Sequence, residues 1–237
     1  MPSILITGAN RGIGLELTRH FLSKGLAVIA TARRPGEAHE LQSLAPNASP
    51  GALTVIPLDV TDSESAHNAA KLCAKSFNSL EILINNAGVY PEGGDEAFDD
   101  IDVELFQRAV DVNYIGTVRV TQAFLPLIRK GANARIVNIS SGAATLTEKT
   151  DSRRYCYGPS KTALNMFTRT LANELKAEGI VVAAMSPGWV RTEMGGADAD
   201  LSVEAATDAM AATIEKLSLE NSGDFLDRFG DSDAYKW

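Results

Sequence analysis

The stretch "YCYGPSK" places Tyr155, Tyr157 and Lys161 within seven residues. A phenol can give up a proton at one stage of a reaction and take it back at another, and an ammonium held nearby makes its phenolate easier to form. Which tyrosine serves such chemistry depends on what the rest of the chain builds around it. A second candidate lies at the other end of the sequence. In "TGANRGIG", Gly8, Gly12 and Gly14 stand between an apolar run and a stretch with helical spacing. Glycines there let the turn tighten and the backbone approach a pyrophosphate, which the N–H groups of a helix N-terminus would receive. The spacing is G-x-x-x-G-x-G, and a tight turn uses glycine for steric reasons too. The evidence for a dinucleotide therefore rests on context. Arg11 sits inside this loop, and Arg33 and Arg34 follow the second apolar run, where an acidic residue would suit the ribose diol of NAD. A guanidinium pairs instead with a 2′-phosphate, so NADP(H) is expected in preference to NAD(H), with Arg34 either sharing the role or facing solvent.

The elements that must hold these residues alternate regularly. Short apolar runs at 3–7, 26–32, 53–59, 81–88, 134–141 and 180–188 have the length and β-branched content of buried parallel strands. Helical spacing fills 12–24, 62–76, 101–129, 157–178 and 202–218, and loops fall at 46–52, 90–96 and 195–200. This order predicts an α/β fold: one Rossmann-like, doubly wound parallel sheet with helices on both faces, forming a single domain over 1–237. Ligands in such a sheet bind beyond the carboxyl ends of the strands. That rim collects the glycine loop, the arginines, Asp59, "NNAG", Ser140 and Ser141, and "SPGWV". Asp59 either accepts from an adenine amino group or caps the helix that follows.

Composition narrows the partners. The chain has 237 residues, 45% of them hydrophobic, and a formal charge of −8, which disfavours nucleic acid and anionic membranes as partners. The N-terminal segment has no basic stretch ahead of an apolar one, no run reaches spanning length, and two distant cysteines suit a reducing compartment, so a cytoplasmic protein is expected. His20, His39 and His67 fall in predicted helices away from the rim, and no metal is expected.

Taken in order, "TGANRGIG", "NNAG", "DVNYIG", "NISS", "YGPSK" and "SPGWVRT" resemble the short-chain dehydrogenase/reductase family along essentially the whole chain. The segments "PSILITGANRGIGLEL" and "PGWVRTEMGGADADLSVEAA" and the terminal "YKW" are most similar to its carbonyl-reductase-like branch, which includes C-factor and sniffer. The resemblance implies a nicotinamide cofactor and a catalytic group of Ser141, Tyr157, Lys161 and Asn113. Spacing supports Tyr157 over Tyr155. Four residues separate it from Lys161, so both project from one helix face, and Pro159 fits only a first helical turn, which starts the helix near Tyr157. Tyr155 is left to line the pocket or to pack. Lys161 would favour the Tyr157 phenolate and grip the nicotinamide ribose, Ser141 would hold the substrate oxygen, and the Asn113 backbone would hold a water linked to Lys161. Cofactor contacts are expected from Gly8, Asn10, Arg11, Gly12, Ile13, Gly14, Arg33, Asp59, Val60, Asn86, Ala87, Gly88, Tyr157, Lys161, Pro187, Gly188, Val190 and Thr192. Asn85 or Asn86 would also tie neighbouring strands. Between Ser141 and Tyr157 the chain is longer than the family's usual spacing, through "TLTEKTDSRR", which bears on the substrate mouth more than on the catalytic pair.

The reading is an NADPH-dependent oxidoreductase that reduces aldehyde or ketone carbonyls to alcohols, with Tyr157 as general acid/base. The alternatives are an NAD(P)-dependent alcohol dehydrogenase and a nucleotide-binding signalling protein with little turnover. Val89, Tyr90, Ala143 to Leu146, Tyr155, Trp189 and Met194 are expected around a medium-sized apolar substrate. Surplus apolar residues in 101–129 and 157–178 suggest a homodimer or homotetramer; the opposing expectation is a monomer shielded by the lengthened loop.

Overall fold

A computed structural model of the chain describes residues 2–93, 97–147, 149–150 and 152–235. The expected loop at 90–96 is thus described only to Gly93, and the last two residues of "YKW" lie outside the described residues.

Seven parallel strands form one sheet in the order β3-β2-β1-β4-β5-β6-β7. They are β1 (Ser3–Ile6), β2 (Ala27–Ala32), β3 (Leu53–Pro57), β4 (Ile82–Asn85), β5 (Arg135–Ile139), β6 (Val181–Met185) and β7 (Phe225–Leu226). Alternating side chains send Ile4 and Ile6 to one face of β1 and Leu5 to the other. Ile4 and Ile6 meet a core with Leu17 and Phe21 of helix α1 (Gly12–Ser23) and Met210 and Ile214 of the last long helix. Leu5 joins Leu83, Val120, Phe124, Leu171 and Leu175 on the opposite face. Phe21, Phe124, Leu5 and Leu83 are wholly buried, and each such side chain contributes about 1.5–3 kcal/mol relative to exposure. Strand order reverses between β1 and its two neighbours, β2 and β4, which opens a crevice at their carboxyl ends.

The remaining helices are α2 (His39–Gln42), α3 (Ser63–Ser76), α4 (Val103–Val110), α5 (Gly116–Ile128), α6 (Tyr157–Leu175) and α7 (Val203–Lys216). Two differences from the sequence expectation matter. The helical stretch expected over 101–129 is interrupted by a π-helical turn at Asp111–Ile115, which carries Asn113. β7 has only two residues, too few to show a period, and went unseen. Helix α6 begins at Tyr157, with Pro159 in its first turn as expected. Among the described residues, no helix is long and apolar enough to cross a membrane.

Candidate active site

At the end of β1 the chain must turn sharply into α1. Gly8 has φ +64°, a left-handed conformation that side chains disfavour. A Cβ on Gly14 would stand 2.4 Å from the Gly8 carbonyl oxygen and 2.5 Å from Asn86 Nδ2, so backbone and side chain meet here at closest approach. No side chain caps α1, whose N-cap is Arg11, and its first turn has no acidic residue. This leaves helix N–H groups to be satisfied by something other than a protein side chain, as a pyrophosphate would do. The residues present therefore fit a dinucleotide. Asn10 is exposed beside this turn, whereas Ile13 packs into the core below it. Thr192 lies against the same turn, 3.4 Å from where a Gly12 Cβ would be.

Around the ends of β2 and β3 the side chains are open. Arg33 is exposed and makes no hydrogen bond or ion pair with the described residues, whereas Arg34 pairs with Glu37 at 3.3 Å. Arg11 is bound to Glu193. Asp59 caps no helix: its Oδ1 accepts from Thr61 N and Oγ1 at 2.9 and 2.7 Å, while Asp62 caps α3. Burial pushes the Asp59 carboxyl up, but the Thr61 bonds and the charges of Arg33 and Arg119 outweigh it and hold the group below its ordinary value. Arg33 and Asp59 thus occupy one neighbourhood. Val60, half-buried beside them, packs against Gly116.

The other half of the rim is buried and interlocked. Asn85 donates to Asn138 Oδ1 at 2.9 Å and Asn86 donates to Thr7 O at 2.9 Å, so both asparagines tie strands. Ala87 closes on Gly8, and Gly88 faces Asn113 and Lys161. Asn113, 1% exposed, accepts from Val89 N at 2.8 Å and donates to Val89 O and Ser160 Oγ at 2.9 Å each. Its side chain pins the loop after β4 to α6, and its backbone oxygen accepts from Thr117 Oγ1 at 3.3 Å. Ser141, extended at the end of β5, hydrogen-bonds the Tyr157 phenol. Lys161 Nζ donates to Ile139 O at 2.7 Å and stands 5.7 Å from the Tyr157 ring centroid. Ser141, Tyr157 and Lys161 converge at one point.

Their electrostatics differ from the expectation that Lys161 lowers the phenol. Burial pushes Tyr157 up, to about 12; the Ser141 bond opposes the rise, Glu92 and Tyr90 add to it, and Arg154 opposes it. The Tyr157 side chain is half-buried, so water offsets some of this push. Burial also pushes the Lys161 ammonium down, to about 8. Desolvation weakens the very cation that was to favour the phenolate.

The model of the short chain dehydrogenase family matches residues 2–201. The chain belongs to that family. This short-chain dehydrogenase is 40% identical to the C-signal of Myxococcus xanthus over 151 residues, covering 64% of this chain and 90% of that one. An NADPH-bound carbonyl reductase from chicken fatty liver superposes with TM-score 0.89 at 35% identity, covering 98% of both chains. The carbonyl reductase Sniffer of D. melanogaster gives 0.93 at 30% identity over 100% of each.

Other expected residues of this short-chain dehydrogenase fall as follows. After β6, Gly188 has φ +83° and Val190 is buried, bridging to Leu201. Pro187 precedes that turn and is buried. Tyr90 does face the site, its ring 5.0 Å from that of Tyr157, whereas Tyr155 packs on Phe98 at 5.5 Å. Two expected lining residues belong elsewhere. Ala144 is core, 2% exposed, and Leu146 projects outward beside Met166, where the two border a hollow of about 280 Å³ on the outer face of α6. A second hollow, of about 350 Å³, lies between α7 and β7 and touches none of the candidate residues. One polar residue at the site was missed entirely: Glu92, buried at the start of α6. Nothing in "YPEGGDE" distinguishes it from a solvated loop acid.

Proposed function

We propose that this chain is an NADPH-dependent carbonyl reductase, with Tyr157 as the proton donor to an aldehyde or ketone. The observation that carries the reading is the convergence of Ser141, Tyr157 and Lys161 at the crevice. Similarity to a carbonyl reductase described as NADPH-bound supports it. The glycine turn and the start of α1 would hold the pyrophosphate, Arg33 the 2′-phosphate, Asp59 the adenine, and Tyr157 and Lys161 the nicotinamide ribose. Arg11 could join Arg33 by leaving Glu193, since an exposed ion pair is worth only about 0–1 kcal/mol. When bound, the cofactor would supply the hydride that the carbonyl carbon takes up. Ser141 donates a hydrogen bond to the substrate oxygen and stabilises charge developing there. Tyr157 delivers its proton to the same oxygen. Lys161, pushed down only to about 8, is mostly protonated at neutral pH and steadies the phenolate left behind. A phenol pushed up by burial stays protonated at neutral pH, so the resting site holds the proton that carbonyl reduction consumes.

Reduced, buried thiols at Cys73 and Cys156 support a cytoplasmic setting. Leu146 and Met166, 69% and 68% exposed on the outer face of α6, support pairing with a second copy, as a homodimer or homotetramer. The test is steady-state reduction of an aldehyde and ketone panel with NADPH and with NADH, with light scattering on the same preparation. Turnover favouring NADPH at least about tenfold is expected. Equal turnover with both cofactors would refute the 2′-phosphate assignment, and no turnover on any carbonyl would refute the reductase.

A further inference from the structure

Among the described residues, the buried set contains two charged side chains, Lys161 and Glu92, and both border Tyr157. The first belongs to the proposed mechanism; the second has no place in it yet. Glu92 is 1% exposed, and its Oε1 accepts from Cys156 N at 3.1 Å and Tyr157 N at 2.6 Å. It thereby caps α6 from a distant loop. The helix needs that service, because its own N-cap, Cys156, makes no side-chain cap and its first turn has no acid. Tyr90, two residues earlier, lays its ring against that of Tyr157. The loop after β4 is therefore clamped to the tyrosine by a ring and by a carboxylate.

Capping does not account for all of Glu92. One oxygen serves both backbone donors, and Oε2 is buried with no hydrogen-bond partner among the described residues. An amide would cap as well without carrying a charge into the interior, which is costly when unpaired. We propose that Glu92 is a positioning residue of the site: it fixes the start of α6 and sets a carboxylate beside Tyr157, which holds the phenol in its protonated form. The groups facing the phenol are Glu92 and Tyr90 from the loop after β4, Ser141 from the end of β5, Arg154 ahead of α6, and Lys161 on α6. Of these, Glu92 is the acid set against the two cations. Its presence biases the site toward the protonated phenol, and this rests on the reductase reading only for the use made of the proton.

The test separates the two. Full-length protein without added cofactor is titrated by pH-jump stopped-flow absorbance of phenolate, before alkaline unfolding. Subtracting the Tyr157→Phe titration isolates Tyr157. The pair is repeated with Glu92→Gln, which keeps an acceptor for the two N–H groups and removes the charge, and with Glu92→Asp, which keeps the charge. The Tyr157 midpoint is expected to fall by about one pH unit in Glu92→Gln and to stay near the parent in Glu92→Asp. The alkaline limb of kcat/KM for carbonyl reduction should move down with it. An unchanged midpoint in Glu92→Gln, or an equal fall in both variants, overturns the proposal. Failure to reduce any carbonyl with the midpoint shifted would refute the reductase and leave Glu92 in its role.

Discussion

The two halves of the crevice are made of different material. From β1 to β3 it is backbone and exposed side chains: a glycine turn, an uncapped helix start, and Arg11 and Arg33 in solvent. From β4 to β6 it is buried side chains holding one another, with Asn85, Asn113, Ser140 and Lys161 all at 4% exposure or less. An exposed arginine can be exchanged with little effect on its neighbours, because water replaces it. Removing one partner from a buried pair leaves the other unsatisfied, at about 1–3 kcal/mol. The nucleotide half can therefore be retuned residue by residue, while the chemical half changes as a unit. Substitutions should sort accordingly, into cofactor affinity on one side and turnover on the other.

The largest effect is expected at the centre of the buried half. Tyr157→Phe removes the proposed proton donor and leaves the ring that packs on Tyr90. Carbonyl turnover should fall by about 10²–10⁴-fold. NADPH affinity, followed by fluorescence titration, should stay within about threefold. An affinity loss as large as the rate loss would show that the two halves are not separable.

Arg33→Asp probes the open half. It replaces an exposed guanidinium, free of hydrogen bonds and ion pairs among the described residues, with a carboxylate that repels a 2′-phosphate and suits a ribose diol. Preference for NADPH over NADH should fall by about 10–100-fold or reverse, with kcat on the better cofactor little changed. Protein stability should move by about 0.5 kcal/mol or less, as for an exposed site. A preference that survives the change would transfer the phosphate to Arg11 or Arg34, and a collapse of kcat would couple the halves.

How much of this was legible in the sequence follows the same division. Six of the seven strands and the start of α6 could be read, because buried parallel strands are short apolar runs and Pro159 fits only a first helical turn. The glycine turn was legible because its backbone demands a residue type. Side chains whose partners come from distant segments were not. Asn113 could be placed in a helix, but neither its π-turn nor its grip on Val89 follows from local spacing. Glu92 lies in a loop whose composition signals only turns, and its burial depends on helix α6, some 65 residues away. The upward push on Tyr157 was missed for a related reason. Sequence shows a lysine four residues on, but not the burial that pushes the phenol up and the ammonium down.

Tyr155→Phe should have the smallest effect and bounds the buried half from outside. Tyr155 shares its residue type with Tyr157 and stands two positions away, yet it precedes α6 and its ring turns to Phe98. The substitution keeps that ring contact and removes one hydroxyl from a half-exposed side chain, so water takes over the hydrogen bonding. Turnover is expected within about threefold of the parent, matching a change of roughly 0.5 kcal/mol or less. Cofactor affinity should not move. If Tyr155→Phe instead cost as much as Tyr157→Phe, the buried half would extend across the start of α6 to Phe98. A rise in KM with kcat unchanged would sharpen the boundary differently, assigning the Tyr155 hydroxyl to the substrate mouth and leaving the proton with Tyr157.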